Sequence, residues 1–542
     1  MIKQKYGVVY TPRSLSNFVA ELLKRVSNNE DIKVILDPAS GECALLRAVQ
    51  NIFGNKNEYI GIDVDKEAIH NTKDTFRIIH NDTIMPQNVK KKTVDYWRDK
   101  LPVVDAVIAN PPWSSEKIYE RADLISAGFS LVSGQYDSYV LFMEFAFNIL
   151  RENGLMAFII PDSLFDTQNE NLRKFLLEKT QIKVIARLGE KIFEEVNRAT
   201  TVIICKKAIP TPNSETTCFR LSTEDRKAYL AGQGTLLTYF DKKKHTVYQR
   251  RFSRNSGYNF DIDTCSNEET LLEKITSKTE KWEQLFVFGR GVEISKTGKI
   301  VYCPHCNYAQ GYKKKQFEAG KKTCTNCGKE ISVTDKTVQN VVTKEPDENS
   351  ILIYVGENVR RYGISGEYYI RPDIEGINYK NRELYTPPKL LIRKTGLGIY
   401  SAIDYSGSMT SQTVYILKYV DENNQTPLEY YLALINSRVV YYYYLKVYGE
   451  NEWKSHPYIT KQIVFTLPIR PYTGSKVDLD IVKIATKLMQ HYDHDMDAKL
   501  EGLIMKKYEL TKEECEMVIN EMNKLPNLSA VNNMKMEACA IV

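Results

Sequence analysis

No stretch of this 542-residue chain approaches the ~20 consecutive apolar residues that a bilayer-spanning helix needs, so no transmembrane segment is expected. The opening residues, Met1-Ile2-Lys3-Gln4-Lys5-Tyr6, lack the apolar core of an export signal, and no secretory leader is expected. Charge of one sign is also scarce. The 74 Lys and Arg stand against 68 Asp and Glu, a net +6 at pH 7, which permits a nucleic-acid partner without demanding one. No internal repeat is present, which argues against a solenoid or a propeller.

What is present is an ordinary globular composition, 43% apolar and 26% charged, over a length that one core does not support; two or three domains are expected. The 35 tyrosines favour polar-rimmed surfaces that stack on flat ligands. Ten cysteines are spread along the chain, four of them in two close pairs, a pattern of reducing cytoplasm and a metal site rather than of disulfides.

From about 30 to 210 short apolar runs alternate with amphipathic stretches. Val34–Leu36, Tyr59–Ile62, Ala106–Ala109, Met156–Ile160 and Thr201–Ile204 read as strands, and helices between them imply an α/β fold with a mostly parallel sheet. Pro210-Thr211-Pro212-Asn213-Ser214 breaks the pattern. The expected domains are a catalytic one over 1–215, a connector over 216–265, a strand-rich one over 266–470 and a helical segment over 475–542. In the last, Thr511 and Glu514 have capping-box spacing.

Asp37-Pro38-Ala39-Ser40-Gly41-Glu42-Cys43 forms a Gly-bearing turn between a strand and a helix, where open α/β sheets bind nucleotides. The acidic Asp37 argues against a phosphate there and for a ligand with an amino-acid moiety and a ribose. Asp63, ending the second strand, can accept from ribose hydroxyls, and Asp82, after Ile78-Ile79, from an adenine amino group. Asn110-Pro111-Pro112-Trp113 follows a strand at once. An exocyclic amine on a purine is a poor nucleophile because its lone pair is delocalised. Two acceptors aimed at its hydrogens, the Asn110 side-chain carbonyl and the Pro111 backbone carbonyl, would localise that pair toward a methyl donor. Two prolines hold the acceptors in place beforehand. Trp113 offers a face for a base taken out of the stack.

In this order the segment resembles the gamma class of amino-methyltransferases, the Taq-like adenine-N6 DNA methyltransferases. The match spans residues 6–207. It is carried by Tyr10-Thr11-Pro12, the Asp37 turn, Asp63, Asp82, Asn110–Trp113, Asp137-Ser138-Tyr139, Gly154–Pro161, Ser163-Leu164-Phe165 and Gly189-Glu190-Lys191-Ile192-Phe193. The resemblance implies a Rossmann-like catalytic domain that uses S-adenosylmethionine to methylate N6 of a flipped-out adenine in duplex DNA. Thr11 and Pro12 would contact the methionine end of the cofactor, Asp37 its amino group, Asp63 the ribose and Asp82 the adenine; Ala39, Gly41 and Asn110 complete that set. Phe193 would pack on the target base opposite Trp113. The family has a second glycine where Cys43 stands, and Tyr or Phe where Trp113 stands.

Cys303-Pro304-His305-Cys306 and Cys324-Thr325-Asn326-Cys327, 17 residues apart, have the spacing of a structural four-thiolate zinc site, a zinc ribbon over about 298–335. Lys313-Lys314-Lys315 and Lys321-Lys322 lie between the knuckles and form a basic patch. The surrounding segment resembles the target-recognition domain of the Taq-like enzymes through Gly289–Glu293, Lys389–Lys394 and Gln412–Tyr415. A mixed α+β recognition domain with a ribbon insert and a helical tail is therefore expected. Arg290, Arg360, Arg361, Arg393, Lys394 and Lys454 are candidate DNA contacts. Two other readings stay open, methylation of RNA or of a protein amide, and a non-catalytic DNA-reading subunit that keeps the fold. No Asp…Glu-x-Lys nuclease site stands out, and the motifs begin at Tyr6, so a fused nuclease is not expected. A separate restriction nuclease or defence subunit, in a bacterial or archaeal cytoplasm at the nucleoid, is the partner the resemblance implies.

Overall fold

The computed structural model describes residues 11–28, 31–67, 76–87, 91–113, 119–134, 136–193, 198–294, 298–312, 314–449, 457–525, 528 and 530–539. Tyr6, Tyr10, Lys313, Lys454 and the side chains of Lys314 and Lys315 lie outside this description. The chain divides into two compact units, Met1–Glu268 with Lys446–Lys454, and Glu269–Leu445 with Ser455–Val542. No described helix is long and apolar enough to cross a membrane.

The first unit is built on a sheet of β1 (Val34–Asp37), β2 (Glu58–Asp63), β3 (Arg77–His80), β4 (Val104–Ala109), β5 (Leu150–Pro161), β6 (Gln181–Gly189), β7 (Thr200–Lys206), β8 (Glu215–Arg220) and β9 (His245–Tyr248). Their order is β3-β2-β1-β4-β5-β7-β6-β8-β9. Strands β3 to β5 in that order are parallel, and β7 runs antiparallel to both β5 and β6. This is a Rossmann-like sheet. The chain steps outward from β1 to β3 and returns to β4 on the other side, so the order reverses between β1 and β4, the place where such sheets hold ligands.

The expected strands lie inside these elements because each is apolar on both faces. Val34, Leu36, Ile60 and Ile62 face one core, while Ile35, Tyr59, Ala106 and Ile108 face the other. On that second face pack α1 (Arg13–Ser27) and α2 (Ala44–Phe53), through Phe18, Leu22, Leu46 and Val49. On the first face α3 (Tyr139–Ile149) is buried nearly all round; its Glu144 is satisfied by the backbone N–H groups of Ser130 (2.7 Å) and Leu131 (3.0 Å).

Residues 216–265, expected to be a connector, instead extend the sheet of the first unit. β8 pairs parallel with β6, and β9 pairs antiparallel with β8. The polar look of this span arises because β9 and the helices Thr223–Leu230 and Leu236–Lys243 each bury only part of their surface. A sheet edge needs one apolar side, not two.

The second unit holds an antiparallel sheet ordered Phe286–Arg290, Val414–Tyr419, Lys389–Arg393, Ser401–Asp404. Another joins Val342–Thr343, Tyr368–Ile370, Ile351–Tyr354 and Met409–Thr410. Val292, Ile353, Leu391, Ala402 and Ile416 share one core. Helices Lys476–Gln490, His494–Lys507 and Lys512–Asn523 follow, and the capping box is formed: Thr511 N–H donates to Glu514 at 2.7 Å and Glu514 N–H to the Thr511 hydroxyl at 3.3 Å.

Two features depart from expectation. Leu428–Asn436 and Arg438–Tyr448 are buried helices within the span read as strand-rich. Part of the tyrosine excess is also internal: Tyr430, Tyr431, Tyr442 and Tyr508 are among the fully buried side chains. Their hydroxyls find internal acceptors, as Tyr430 does at the Arg470 carbonyl (3.1 Å) and Tyr431 at Glu280 (2.9 Å). A tyrosine whose hydroxyl is satisfied packs as a large apolar group.

Gly61 on β2 lies under the Asp37 turn. A Cβ there would stand 2.7 Å from Ile78 Cδ1 and 2.7 Å from Ser40 Oγ. Gly61→Ala is therefore expected to lower unfolding free energy by about 1–3 kcal/mol through overpacking, measured by urea denaturation.

Candidate active site

Neighbouring strands of the parallel run end in line. Asp37 closes β1, Asp63 closes β2, Asn81-Asp82 follow β3 and Asn110 follows β4. Their carboxyl ends open on one cavity of about 1080 Å³, mouth included. Of the residues expected to form a site, Thr11, Asp37, Ala39, Gly41, Asp63, Asp82, Asn110, Pro111 and Pro112 line it. Pro12, Trp113 and Phe193 are not in the lining.

Hydrogen bonds set each acidic group. Asp37 accepts from Ala39 N–H at 3.0 Å. Asp63 accepts from Gly41 N–H (2.7 Å) and Asp65 N–H (2.8 Å), tying the end of β2 to the turn after β1. Asp82 accepts from the N–H groups of Ile84 (2.9 Å) and Met85 (3.0 Å) and from the Tyr119 hydroxyl (2.7 Å). Gly41 has φ +47° and Cys43 φ +59°. The turn thus asks for a left-handed residue where Cys43 stands, a conformation that glycine adopts without cost.

Burial dominates the electrostatics. It pushes the Asp37 carboxyl up to about 8; the hydrogen bond from Ala39 opposes the shift and the nearby Asp63 adds to it. Burial raises Asp63 as well. Desolvated carboxyls of this kind ionise readily once a cation joins them. Ser40 Oγ, also in the lining, is buried with no hydrogen-bond partner among the described residues. Acidic acceptors at three strand ends, an unmatched hydroxyl and the apolar Leu45, Leu141 and Phe142 fit a cationic nucleoside with an amino-acid arm.

The turn after β4 is held from several sides. Asn110 Nδ2 donates to Thr11 Oγ1 at 3.0 Å, which directs the amide nitrogen to Thr11. Ser138 Oγ donates to the Pro112 carbonyl at 2.5 Å, and Arg198 donates to the Trp113 carbonyl. Among the described residues nothing donates to the Pro111 carbonyl. Trp113 is 7% exposed and meets Phe193, 2% exposed, edge to face with ring centroids 5.2 Å apart. Its indole N–H points to the Ile159 carbonyl at 3.4 Å. The two rings expected to flank a base therefore touch each other.

Sequence reasoning did not single out Ser40, Arg47, Tyr119 or Phe142, all in the lining. Phe142 lies one turn beyond Ser138 on α3, a spacing that carried the signal.

In the second unit the two Cys-x-x-Cys turns share one shape. Asn307 N–H donates to the Cys303 carbonyl and Gly328 N–H to the Cys324 carbonyl, with Asn307 and Gly328 both left-handed. The four sulfurs lie within 4.8 Å of one another, Cys303 to Cys327 at 3.6 Å and Cys306 to Cys324 at 3.7 Å. A tetrahedral ion with metal–sulfur bonds of about 2.3 Å needs sulfurs about 3.8 Å apart, so the set fits. Of the basic candidates, Arg361 is buried, paired with Asp497 at 2.7 Å. Arg290 and Arg360 are exposed, and Arg393 and Lys394 half-buried.

Residues 2–263 match the N-6 DNA Methylase family, and residues 351–469 match the TaqI-like C-terminal specificity domain. The chain thus carries an N-6 DNA methylase domain followed in sequence by a TaqI-like specificity domain. It is 24% identical over 210 residues to the type II methyltransferase M.AccI of Acinetobacter calcoaceticus, covering 38% of this chain and 37% of that protein. It is 26% identical over 326 residues to the type I restriction enzyme MjaVII methylase subunit of Methanocaldococcus jannaschii, covering 55% and 48%. The chain thus spans less than half the length of either relative. The fold is shared with the ATP-dependent type ISP restriction-modification enzyme LlaBIII bound to DNA, with a TM-score of 0.50 at 13% identity over 90% of this chain and 39% of that one. The cysteine cluster falls between the two matched regions.

The raised Asp37 carboxyl generates a test. It is neutral in the folded protein up to about pH 8 and ionised in the unfolded chain above about pH 4, so it lowers stability progressively across that window. Without cofactor, Asp37→Asn should be more stable than the parent. The difference should grow from pH 4 to 8 and level off above, as read from melting temperatures at several pH values.

Proposed function

We propose that the chain transfers a methyl group from S-adenosylmethionine to N6 of a flipped-out adenine in duplex DNA, within a restriction-modification or host-defence system. The observation that carries this reading is the shared cavity. The acidic strand ends Asp37, Asp63 and Asp82 line it together with Asn110 and Pro111, whose carbonyl receives no hydrogen bond from a described residue.

Asp37 binds the amino group of the methionine arm, Asp63 the ribose hydroxyls and Asp82 the adenine of the cofactor, with Thr11, Pro12, Ala39 and Gly41 around them. When bound, the cofactor supplies an electrophilic methyl group on a sulfonium. The Asn110 side-chain carbonyl and the Pro111 backbone carbonyl accept the two N6 hydrogens of the target adenine. This draws the amine lone pair out of conjugation and along the line of attack. Neither acceptor has to move, because Pro111 and Pro112 restrict the turn.

Trp113 and Phe193 are the proposed walls for the extruded base. Base entry requires the edge-to-face pair to part and exchanges that contact for stacking on the purine.

The region matching the TaqI-like specificity domain supplies target recognition, with Arg360, Arg393 and Lys394 within it and Arg290 ahead of it in sequence as the DNA-facing candidates. The four thiolates hold a structural zinc that ties the two ribbon hairpins, since all four positions around the ion are protein sulfur. A separate restriction subunit is the proposed partner.

Asn110→Ala should reduce methyl transfer from labelled cofactor to plasmid DNA by at least about 100-fold. Cofactor affinity, followed by calorimetry, should stay within a few-fold. Equal loss of both would point away from the assigned role. The purified protein should carry one zinc per chain by elemental analysis. Cys303→Ser should remove it and lower thermal stability and DNA affinity while leaving cofactor binding unchanged; a metal-free parent of full stability would discard the ribbon.

A further inference from the structure

We propose that Arg198, aligned by Asp137, is a positioning residue for the catalytic turn: it holds the backbone at Trp113 so that the Pro111 carbonyl keeps its aim into the cavity. The inference rests on the reading of Asn110–Trp113 as the turn that receives the target amine.

One guanidinium spans two partners. Arg198 Nη1 donates to the Trp113 carbonyl, 85 residues away in sequence, while Nη2 lies 3.1 Å from Asp137 Oδ2. Asp137 is buried, and the same oxygen accepts from Ser163 Oγ at 2.8 Å, so the carboxylate is itself held. The next residue, Ser138, donates to the Pro112 carbonyl. Two consecutive carbonyls of the turn are thus anchored from the start of α3, one directly by Ser138 and one through Arg198. With Asn110 tied to Thr11, every residue of the turn except Pro111 is restrained by a hydrogen bond. The clamp immobilises the backbone on the far side of the acceptor that is left for substrate.

The residue type follows from the geometry. A planar guanidinium offers several N–H donors in a rigid fork and serves a carbonyl and a carboxylate at once; an ammonium reaches one well and the other poorly. The guanidinium also offsets the charge of a carboxylate that is otherwise buried alone. Arg198 is 38% exposed at its side chain, which leaves a phosphate of bound DNA as the rival partner.

The full-length protein, its R198A, R198K and D137N variants, and 5-fluorotryptophan at Trp113 read by fluorine NMR separate these cases. The clamp predicts that R198A and D137N lower kcat about 30- to 100-fold. Cofactor affinity and the salt dependence of DNA binding should be unchanged, and the Trp113 fluorine signal should shift in both. It predicts only partial rescue by lysine, with kcat still about tenfold down. The proposal is overturned if R198A instead weakens DNA binding, lowers the salt slope by about one and is restored by R198K, the behaviour of a phosphate contact. It is equally overturned by unchanged kcat with an unmoved fluorine signal. If R198A does not fold, R198K and D137N carry the same comparison. Should the parent transfer no methyl group to DNA, the reading of the turn fails on its own. The fluorine signal then judges the clamp: a shift in R198A supports it and a fixed signal refutes it.

Discussion

The interaction on which the first unit depends is the bonding of backbone N–H groups to side-chain carboxyl groups at the ends of parallel strands. Ala39 donates to Asp37, Gly41 and Asp65 to Asp63, and Ile84 and Met85 to Asp82. These bonds fold each strand end into a tight turn and hold its acidic group at the cavity. They do not remove the cost of burial, which keeps Asp37 protonated to about pH 8. A pocket built this way is poor at being empty and good at receiving a cation. That is the usual relation between a binding site and the stability of the fold that carries it.

Under the proposed function the turn after β4 meets a different requirement. An acceptor for an amine must be rigid without already being used. Ser138, Arg198 and Thr11 take up the neighbouring groups, and the Pro111 carbonyl stays without a described donor. Next to this fixed corner, Trp113 and Phe193 close on each other through an aromatic contact of modest strength, about 1 kcal/mol. On that proposal, rigid acceptors beside a weakly closed ring pair combine preorganisation with access.

The second unit buries a network of ion pairs. Arg438 pairs with Asp497 (3.2 Å) and Glu501 (3.1 Å), and Arg361 with Asp497, joining the sheet region to the helix His494–Lys507. Breaking such a network is costly because each charge left behind stays buried. Arg361 and Arg360 are adjacent in sequence yet differ completely: one completes this network, the other is exposed. The cysteine cluster lies outside both family-matched regions, repeats one turn twice and has only a small apolar cluster, Val301 and Ile331 with the cysteines, around it.

Five strands of the first unit, β1, β2, β4, β5 and β7, and the turns after β1 and β4 were legible because fully apolar strands and Gly- or Pro-bearing corners are local patterns. So was the capping box at Thr511. β6, β8 and β9 were not legible, since polar residues interrupt their apolar runs, and of these only β9 lies at the sheet edge. Nor were the helices Leu428–Asn436 and Arg438–Tyr448, whose continuous aromatic character fits either period. The sequence by itself determined which chemistry-bearing groups end neighbouring strands and that four thiols come in two matched turns. Only the tertiary structure decided which acceptors are already occupied, which arginine is buried, and that Arg198 meets a carbonyl 85 residues away. Hydrogen-bond satisfaction and burial depend on partners that the packing of the sheet brings together, and no local pattern of residues encodes them.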